Sequence, residues 1–274
     1  MKDYEPIMSW VQELAETFGD DRRGDEAEAV AFLERSARGG PALELGIGAG
    51  RIALPLAARG IRVDGVDISP AMVTQMRAKP GGERIQVAIG DLADVPVSGN
   101  YRLIFVVYNT LFNVPTQEDQ VRCFENVAAR LADDGSFVVK AYSPGFLYRL
   151  RDNQYVDAEE IEVDRVTLDV LRHDPVRQRI DENHVTLSRE GARFFPVAQR
   201  YAWPGELDLM ARIARLRLKE RWAGVGTGSR SRRAAATWCP STGAEPASFG
   251  PNPDLRPVPR RWAHTYRTGA VRTS

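Results

Sequence analysis

Hydrophobic positions change their spacing several times along the chain, and each change marks an element. Up to about residue 38 the apolar residues fall at helical intervals: Trp10, Val11, Leu14 and Phe18, then Ala27, Val30, Ala31 and Leu33. Polar Gly19–Asp25 separates the two groups. From residue 41 short apolar runs alternate with amphipathic stretches. PALELGI (41–47), IRVDGVDI (61–68), RIQVAIGD (84–91), YRLIFVVY (101–108) and SFVVKAY (136–142) read as strands. Helices are expected at Arg51–Arg59, stopped by Gly60, after Ser69-Pro70, and over Thr116–Leu131. Continuous apolar strands suit a sheet covered on both faces, and the alternation implies right-handed crossovers and parallel order. An α/β fold with a doubly wound, mostly parallel sheet and N-terminal helices is the expectation.

After Ser143 the period shortens to two. Segments near 160–171, 178–188 and 193–203 alternate apolar and polar residues, as in RVTLDVL and HVTLSRE. They predict an antiparallel insertion after the fifth strand, at about 155–203, suited to a lid or a homodimer surface. A helix at Glu206–Leu216 and a strand LRLKERW (216–222) follow. The expected organisation is a helical cap at 1–38, a cofactor-binding domain at 39–222 and a low-order tail at 223–274.

Composition changes the picture mainly at that tail. The chain has 274 residues with 37 basic and 37 acidic side chains. Residues 223–274 hold eight arginines and two acids, so a body of net −6 carries a tail of net +6. No helical or strand period is visible there after LRLKERW. The tail reads as a disordered basic appendage or as the product of a reading-frame shift, with Trp262–Tyr266 and Ala270–Arg272 as feeble strand candidates.

Zero net charge argues against nucleic-acid binding. Two cysteines, Cys123 and Cys239, form no disulfide framework. There is no signal-peptide pattern and no membrane-length apolar run, so a cytoplasmic protein away from membranes is expected.

Candidate chemistry sits between the first strand and its helix, in Glu44-Leu45-Gly46-Ile47-Gly48-Ala49-Gly50-Arg51. Glycines allow a tight turn and close backbone approach, and the following helix offers free amide donors. Asp67 ends the next strand, where a carboxylate can accept from both hydroxyls of a ribose. A dinucleotide fingerprint would place its third glycine at Arg51. A pyrophosphate would also be repelled by Glu44, whereas a cationic amino-acid cofactor would not.

The spacing E-x-G-x-G-x-G resembles motif I of class I S-adenosylmethionine-dependent methyltransferases. The likeness continues through GVDISPAMV (65–73), GDLADVP (90–96), YRLIFVVYNTLFNV (101–114) and LADDGSFVVKAY (131–142). It implies a Rossmann-like fold, S-adenosylmethionine as cofactor and methyl transfer as the activity. It also implies a seventh strand, antiparallel and set between the fifth and sixth; the tail shows no such run, so unpaired edges of those two strands and lowered stability are expected. It further implies that Glu44 lies near the methionine ammonium and that Gly46, Gly48 and Gly50 form the cofactor loop. Asp67 would then meet the ribose, with Ile68 also contacting the cofactor, Asp91 the adenine amino group, and Leu92 the ring.

Residues 108–113, Tyr-Asn-Thr-Leu-Phe-Asn, lack the Asn/Asp-Pro-Pro-aromatic element of nucleobase and amide methyltransferases, which points to a small-molecule acceptor at nitrogen or oxygen. Tyr108, Asn109, Phe112 and Tyr142 are the candidate acceptor contacts, and Tyr4 and Trp10 candidates for closing the site. His184 is a weak candidate general base. His173, Asp174 and His184 lack a metal spacing, so no metal is expected. A nicotinamide-dependent oxidoreductase and a non-catalytic or damaged cofactor-binding module are the alternatives.

Overall fold

A computed structural model of the chain describes residues 24–223 and 233–240. Two layers of helix cover a seven-stranded sheet, and a second sheet of four strands follows the fifth strand. Helix α1 (Glu26–Ala37) buries Val30, Leu33 and Ala37, one face at helical spacing. The alternation predicted from the apolar runs is then realised as β1 (Ala42–Leu45), α2 (Ala53–Ala57), β2 (Val63–Asp67), α3 (Pro70–Arg77), β3 (Gln86–Ile89) and β4 (Tyr101–Val106). Helix α4 (Gln117–Ala128) leads into β5 (Leu131–Tyr142).

Local chemistry sets these boundaries. The Ser69 hydroxyl accepts from the Met72 N–H at 3.2 Å, and Pro70 occupies the first turn of α3. Thr116 caps α4 in the same way, accepting from the Asp119 N–H at 3.1 Å, and Glu118 and Asp119 favour the positive end of that helix. Every residue of β1 and β2 is buried, because helices pack on both faces. One cluster joins Leu43, Leu45, Phe124 and Phe137, and the other joins α1 and α2 to Ile47, Phe105 and Val138.

The insertion contains one strand more than the periodicity indicated. β6 (Gln154–Ile161), β7 (Arg165–Asp174), β8 (Arg179–Ser188) and β9 (Gly191–Arg200) form an antiparallel meander. β6 is rich in Asp and Glu, which hides its alternation. Its two faces differ. Paired positions place Val156, Val170, Val185, Leu187 and Phe194 on one face, with Val156 and Phe194 about two-thirds exposed at 65% and 64%. Asp157, Asp169, His184 and Phe195 form one row on the opposite face, beside a row of Tyr155, Leu171, Glu182 and Val197. That polar face meets the main domain: Tyr142 donates to Gln199 Oε1 at 3.2 Å, and Gln199 donates to Asn113 Oδ1 at 3.3 Å. A buried Arg200 anchors the end of β9, donating to Gln120 Oε1 at 2.6 Å and to Glu206 at 2.6 Å.

The main departure from the sequence reading lies in the tail. After α5 (Pro204–Ile213) and β10 (Leu216–Ala223), residues Arg233–Pro240 form β11. It runs antiparallel to both β5 and β10 and lies between them, giving the order β10-β11-β5-β4-β1-β2-β3. The seventh strand therefore exists, and the fifth and sixth strands do not face each other unpaired. RAAATWCP carries neither period nor strong strand propensity, because alanine fits a pleated surface poorly. Flanking ladders on both sides supply the hydrogen bonds that fix it, information that a local pattern does not contain. Trp238 is fully buried against Phe124 and Phe137, with ring centroids 5.6 and 6.1 Å apart, and its indole N–H donates to Asp208. Tyr4, Trp10, Trp262–Tyr266 and Ala270–Arg272 lie outside the described residues. Among the described residues no helix is long and apolar enough to cross a membrane.

Candidate active site

The loop after β1 reaches the carboxyl edge of the sheet. Gly46, Gly48 and Gly50 all have positive φ, at 73°, 53° and 79°. At positions 46 and 50 packing also demands glycine: a Cβ at 46 would collide with the Thr110 methyl, and one at 50 would lie 2.6 Å from the Met76 Cγ. At 48 the backbone angle alone makes the demand, since a Cβ there would meet only the end of the Met72 side chain, at 3.3 Å.

Asp67 organises this loop. Its Oδ2 accepts the Gly48 N–H at 2.6 Å and its Oδ1 the Ser69 N–H at 2.8 Å. Burial pushes its carboxyl up, and the N–H groups of Ser69, Gly48 and Ile68 pull it part of the way back. A carboxylate offers about four lone-pair sites, so both oxygens retain capacity for further donors. Ile68 is half exposed at the same strand end. The Asp91 Oδ1 accepts the Ala93 N–H at 2.8 Å, a turn-capping bond that uses one oxygen, and Leu92 packs half-buried against the core.

Glu44 is buried within β1, and its Oε2 has no hydrogen-bond partner. Burial raises its carboxyl well above the usual range, with the Asp67 charge adding to the rise. The Ala53 N–H and the Arg51 charge oppose it. An unsatisfied buried carboxylate oxygen asks for a donor or a cation.

At the exit of β4, Tyr108 and Asn109 are both left-handed, with φ of 55° and 69°. Two such residues in succession hold strain that the surroundings must maintain. The Asn109 Oδ1 accepts the Tyr142 N–H at 2.8 Å, and the Asn109 N–H donates to the Lys140 carbonyl at 3.2 Å. The Tyr108 hydroxyl donates to Asp25 at 3.1 Å, while Lys140 pairs with Asp25 at 2.7 Å. Lys140 Nζ lies 4.7 Å from the Tyr108 ring centre and the Arg51 guanidinium 5.1 Å. Tyr142 is buried, and burial followed by the Glu182 and Tyr201 charges holds its phenol far above the usual range. Phe112, expected to touch an acceptor, is completely buried and packs edge-on to Tyr142 at 5.0 Å. It supports Tyr142 from behind.

His184 does not suit the role of base. Its Nδ1 lies 2.6 Å from Asp169 and 3.7 Å from Glu159. Burial opposes the ring's charge, but Asp169, Glu159 and Glu182 outweigh it and push the ring up to about 10. A protonated imidazole has no lone pair to accept a proton. Ligand-type atoms of Glu159, Asp169 and His184 come within 4.8 Å of one another across three strands, a grouping that linear spacing does not display. Sequence reasoning also missed Asp25, Lys140 and Gln199. Lys140 did leave a signal, as the one charge inside the apolar run SFVVKAY.

Residues 42–135 match a family described as a methyltransferase domain. No curated protein sequence matches the chain. Among solved structures, it is similar to the CcbJ methyltransferase from Streptomyces caelestis, with 33% identity and a TM-score of 0.76, over 84% of this chain and 96% of that one. CalS10, an amino pentose methyltransferase from Micromonospora echinaspora, shares 23% identity with a TM-score of 0.61 over 82% and 95%. The sugar N-methyltransferase KedS8 from Streptoalloteichus shares 19% with a TM-score of 0.59 over 82% and 90%; these last two likenesses are of fold.

Strand order and sequence similarity together define a class I, Rossmann-like methyltransferase. The chain belongs to the S-adenosylmethionine-dependent methyltransferases of that class, and S-adenosylmethionine is its cofactor. The nicotinamide alternative is thereby set aside.

Proposed function

We propose that this methyltransferase alkylates the nitrogen of a small, cationic metabolite held between the exit of β4, Tyr142 and the polar face of the insertion. The observation that carries the reading is the acidic wall: Asp157 and Glu182 share one sheet face with the Asp169–His184 ion pair, leaving an excess of negative charge there, and the Glu182 charge acts on Tyr142. A wall of that sign favours an ammonium and disfavours an anion. The sugar and amino-pentose acceptors named for KedS8 and CalS10 point the same way.

In this reading Glu44 and the loop at Gly46, Gly48 and Gly50 receive the amino-acid end of the cofactor. Asp67 with Ile68 receives the ribose, and Asp91 with Leu92 the adenine. The fit is physical: Glu44 carries an orphaned buried oxygen, and Asp67 has lone pairs to spare. Bound S-adenosylmethionine supplies an electrophilic methyl group on a good leaving group. Tyr108, Asn109 and Tyr142 then orient the acceptor, and positioning provides much of the acceleration. Glu182 accepts a proton from the acceptor ammonium, which frees the lone pair that attacks. A hydroxyl acceptor would need a stronger base, and His184 is held protonated.

The exposed apolar face of the insertion has a proposed occupant, a second copy of the chain. Val156, Ile161 and Phe194 are 65%, 76% and 64% exposed on one side of a single sheet, and exposed apolar surface marks interaction sites.

Matched acceptors test the main proposal: amino sugars and their hydroxyl parents are each incubated with S-adenosylmethionine, and release of S-adenosylhomocysteine is measured. Turnover on the amines is expected, and turnover confined to the hydroxyls overturns the assignment.

A further inference from the structure

We infer that Arg51 binds the α-carboxylate of the cofactor, with its guanidinium steadied by the Tyr108 ring. The inference rests on the site reading above and adds a residue to it.

Arg51 Nη1 is buried and has no hydrogen-bond partner. A charged donor left unsatisfied out of water is costly, so its retention calls for an anion. Two other cations withdrawn from water already have theirs. Arg200 is satisfied by Gln120 and Glu206, and Lys140 by Asp25. Of the two cations against Tyr108, Arg51 is thus the one with no carboxylate in ion-pair contact among the described residues.

Glu44 is an anion whose charge acts on Arg51. The charges of Glu44 and Arg51 act on each other, yet Glu44 Oε2 and Arg51 Nη1 are each left without a hydrogen bond. A buried acceptor and a buried donor, both unfilled and flanking one glycine loop, match a zwitterion. The cofactor's amino-acid end has one ammonium for Glu44 and one carboxylate for Arg51. A guanidinium also suits a carboxylate better than an ammonium does, through its planar fork of donors.

Tyr108 explains how a long side chain is kept in place. Its backbone is held left-handed at φ 55°, and its hydroxyl is tied to Asp25 at 3.1 Å. The ring is therefore a fixed platform, and the guanidinium 5.1 Å from its centre keeps edge donors free. Position 51 directly follows Gly50, so Arg51 also stands where a dinucleotide-binding loop would carry its third glycine.

The test uses calorimetric titration of the whole chain with two probes. S-Adenosylhomocysteine carries the amino-acid end, and 5′-methylthioadenosine has the same nucleoside and thioether without it. Arg51→Gln should weaken S-adenosylhomocysteine by about tenfold to a hundredfold, the range for a hydrogen bond to a charged group, and leave 5′-methylthioadenosine within about twofold. Arg51→Lys should recover part of the loss; it is also the variant on which the two ligands are compared should Arg51→Gln not fold. Equal weakening of both ligands means that Arg51 only shapes the loop, and no weakening of either means that its charge is idle. Each of those results overturns the inference while leaving the site reading intact. If the unaltered chain binds neither ligand, the site reading itself fails, and this inference with it.

Discussion

Trp238→Ala removes the largest side chain that β11 places in the core. Trp238 is fully buried, and its ring meets Phe124 and Phe137 on neighbouring elements. A buried tryptophan removes roughly 150–250 Å² from water, worth about 4–6 kcal/mol at ~25 cal/mol per Å². That figure is an upper bound, because an unfolded chain already hides part of the area. Measured truncations of large aromatics give about 3–5 kcal/mol, which we adopt. Loss of the indole N–H adds little, since Asp208 keeps its ion pair with Arg221 at 2.5 Å. Set against a typical net stability of about 5–15 kcal/mol, the change is severe. Urea unfolding followed by far-ultraviolet circular dichroism should show it, with a melting temperature lower by about 6–20 °C. Glu190→Ala, at the exposed β8–β9 turn, serves as the control and should stay within about 0.5 kcal/mol. If Trp238→Ala matches that control, β11 does not close the sheet and the assigned strand order is wrong.

Two further outcomes are expected. His184 titrates near 10 in the folded chain against an ordinary value of 6.5. Its stabilisation is therefore complete below about pH 6.5 and is lost as pH rises through 10. Asp169→Asn should lower the ring's titration midpoint by nuclear magnetic resonance and flatten the decline of stability over that window; an unshifted midpoint refutes the pairing. On the outer face of the insertion, Phe194→Glu should convert a dimer to a monomer in sedimentation equilibrium, and a monomeric unaltered chain would remove the proposed partner.

Some of this protein is set by residues close together in sequence. Apolar runs at 41–47 and 101–108 fix buried strands because both sheet faces are covered, and Ser69-Pro70 starts a helix through its own hydroxyl and ring. The loop from Glu44 to Gly50 carries its backbone requirements in its own glycines, so its turn is legible in the sequence. Tertiary structure decided the remainder. β11 exists because β5 and β10 offer ladders on both sides, which makes strand of an alanine-rich run with no period. Phe112 is withdrawn into the core behind Tyr142, and His184 is charged by carboxylates from other strands; neither fate depends on adjacent residues. The cluster of Arg51, Tyr108, Lys140 and Asp25 joins positions up to 115 residues apart. Backbone preference and burial pattern are local and can be read along a chain, whereas the partner of a charge or of a strand edge is chosen only when distant segments meet.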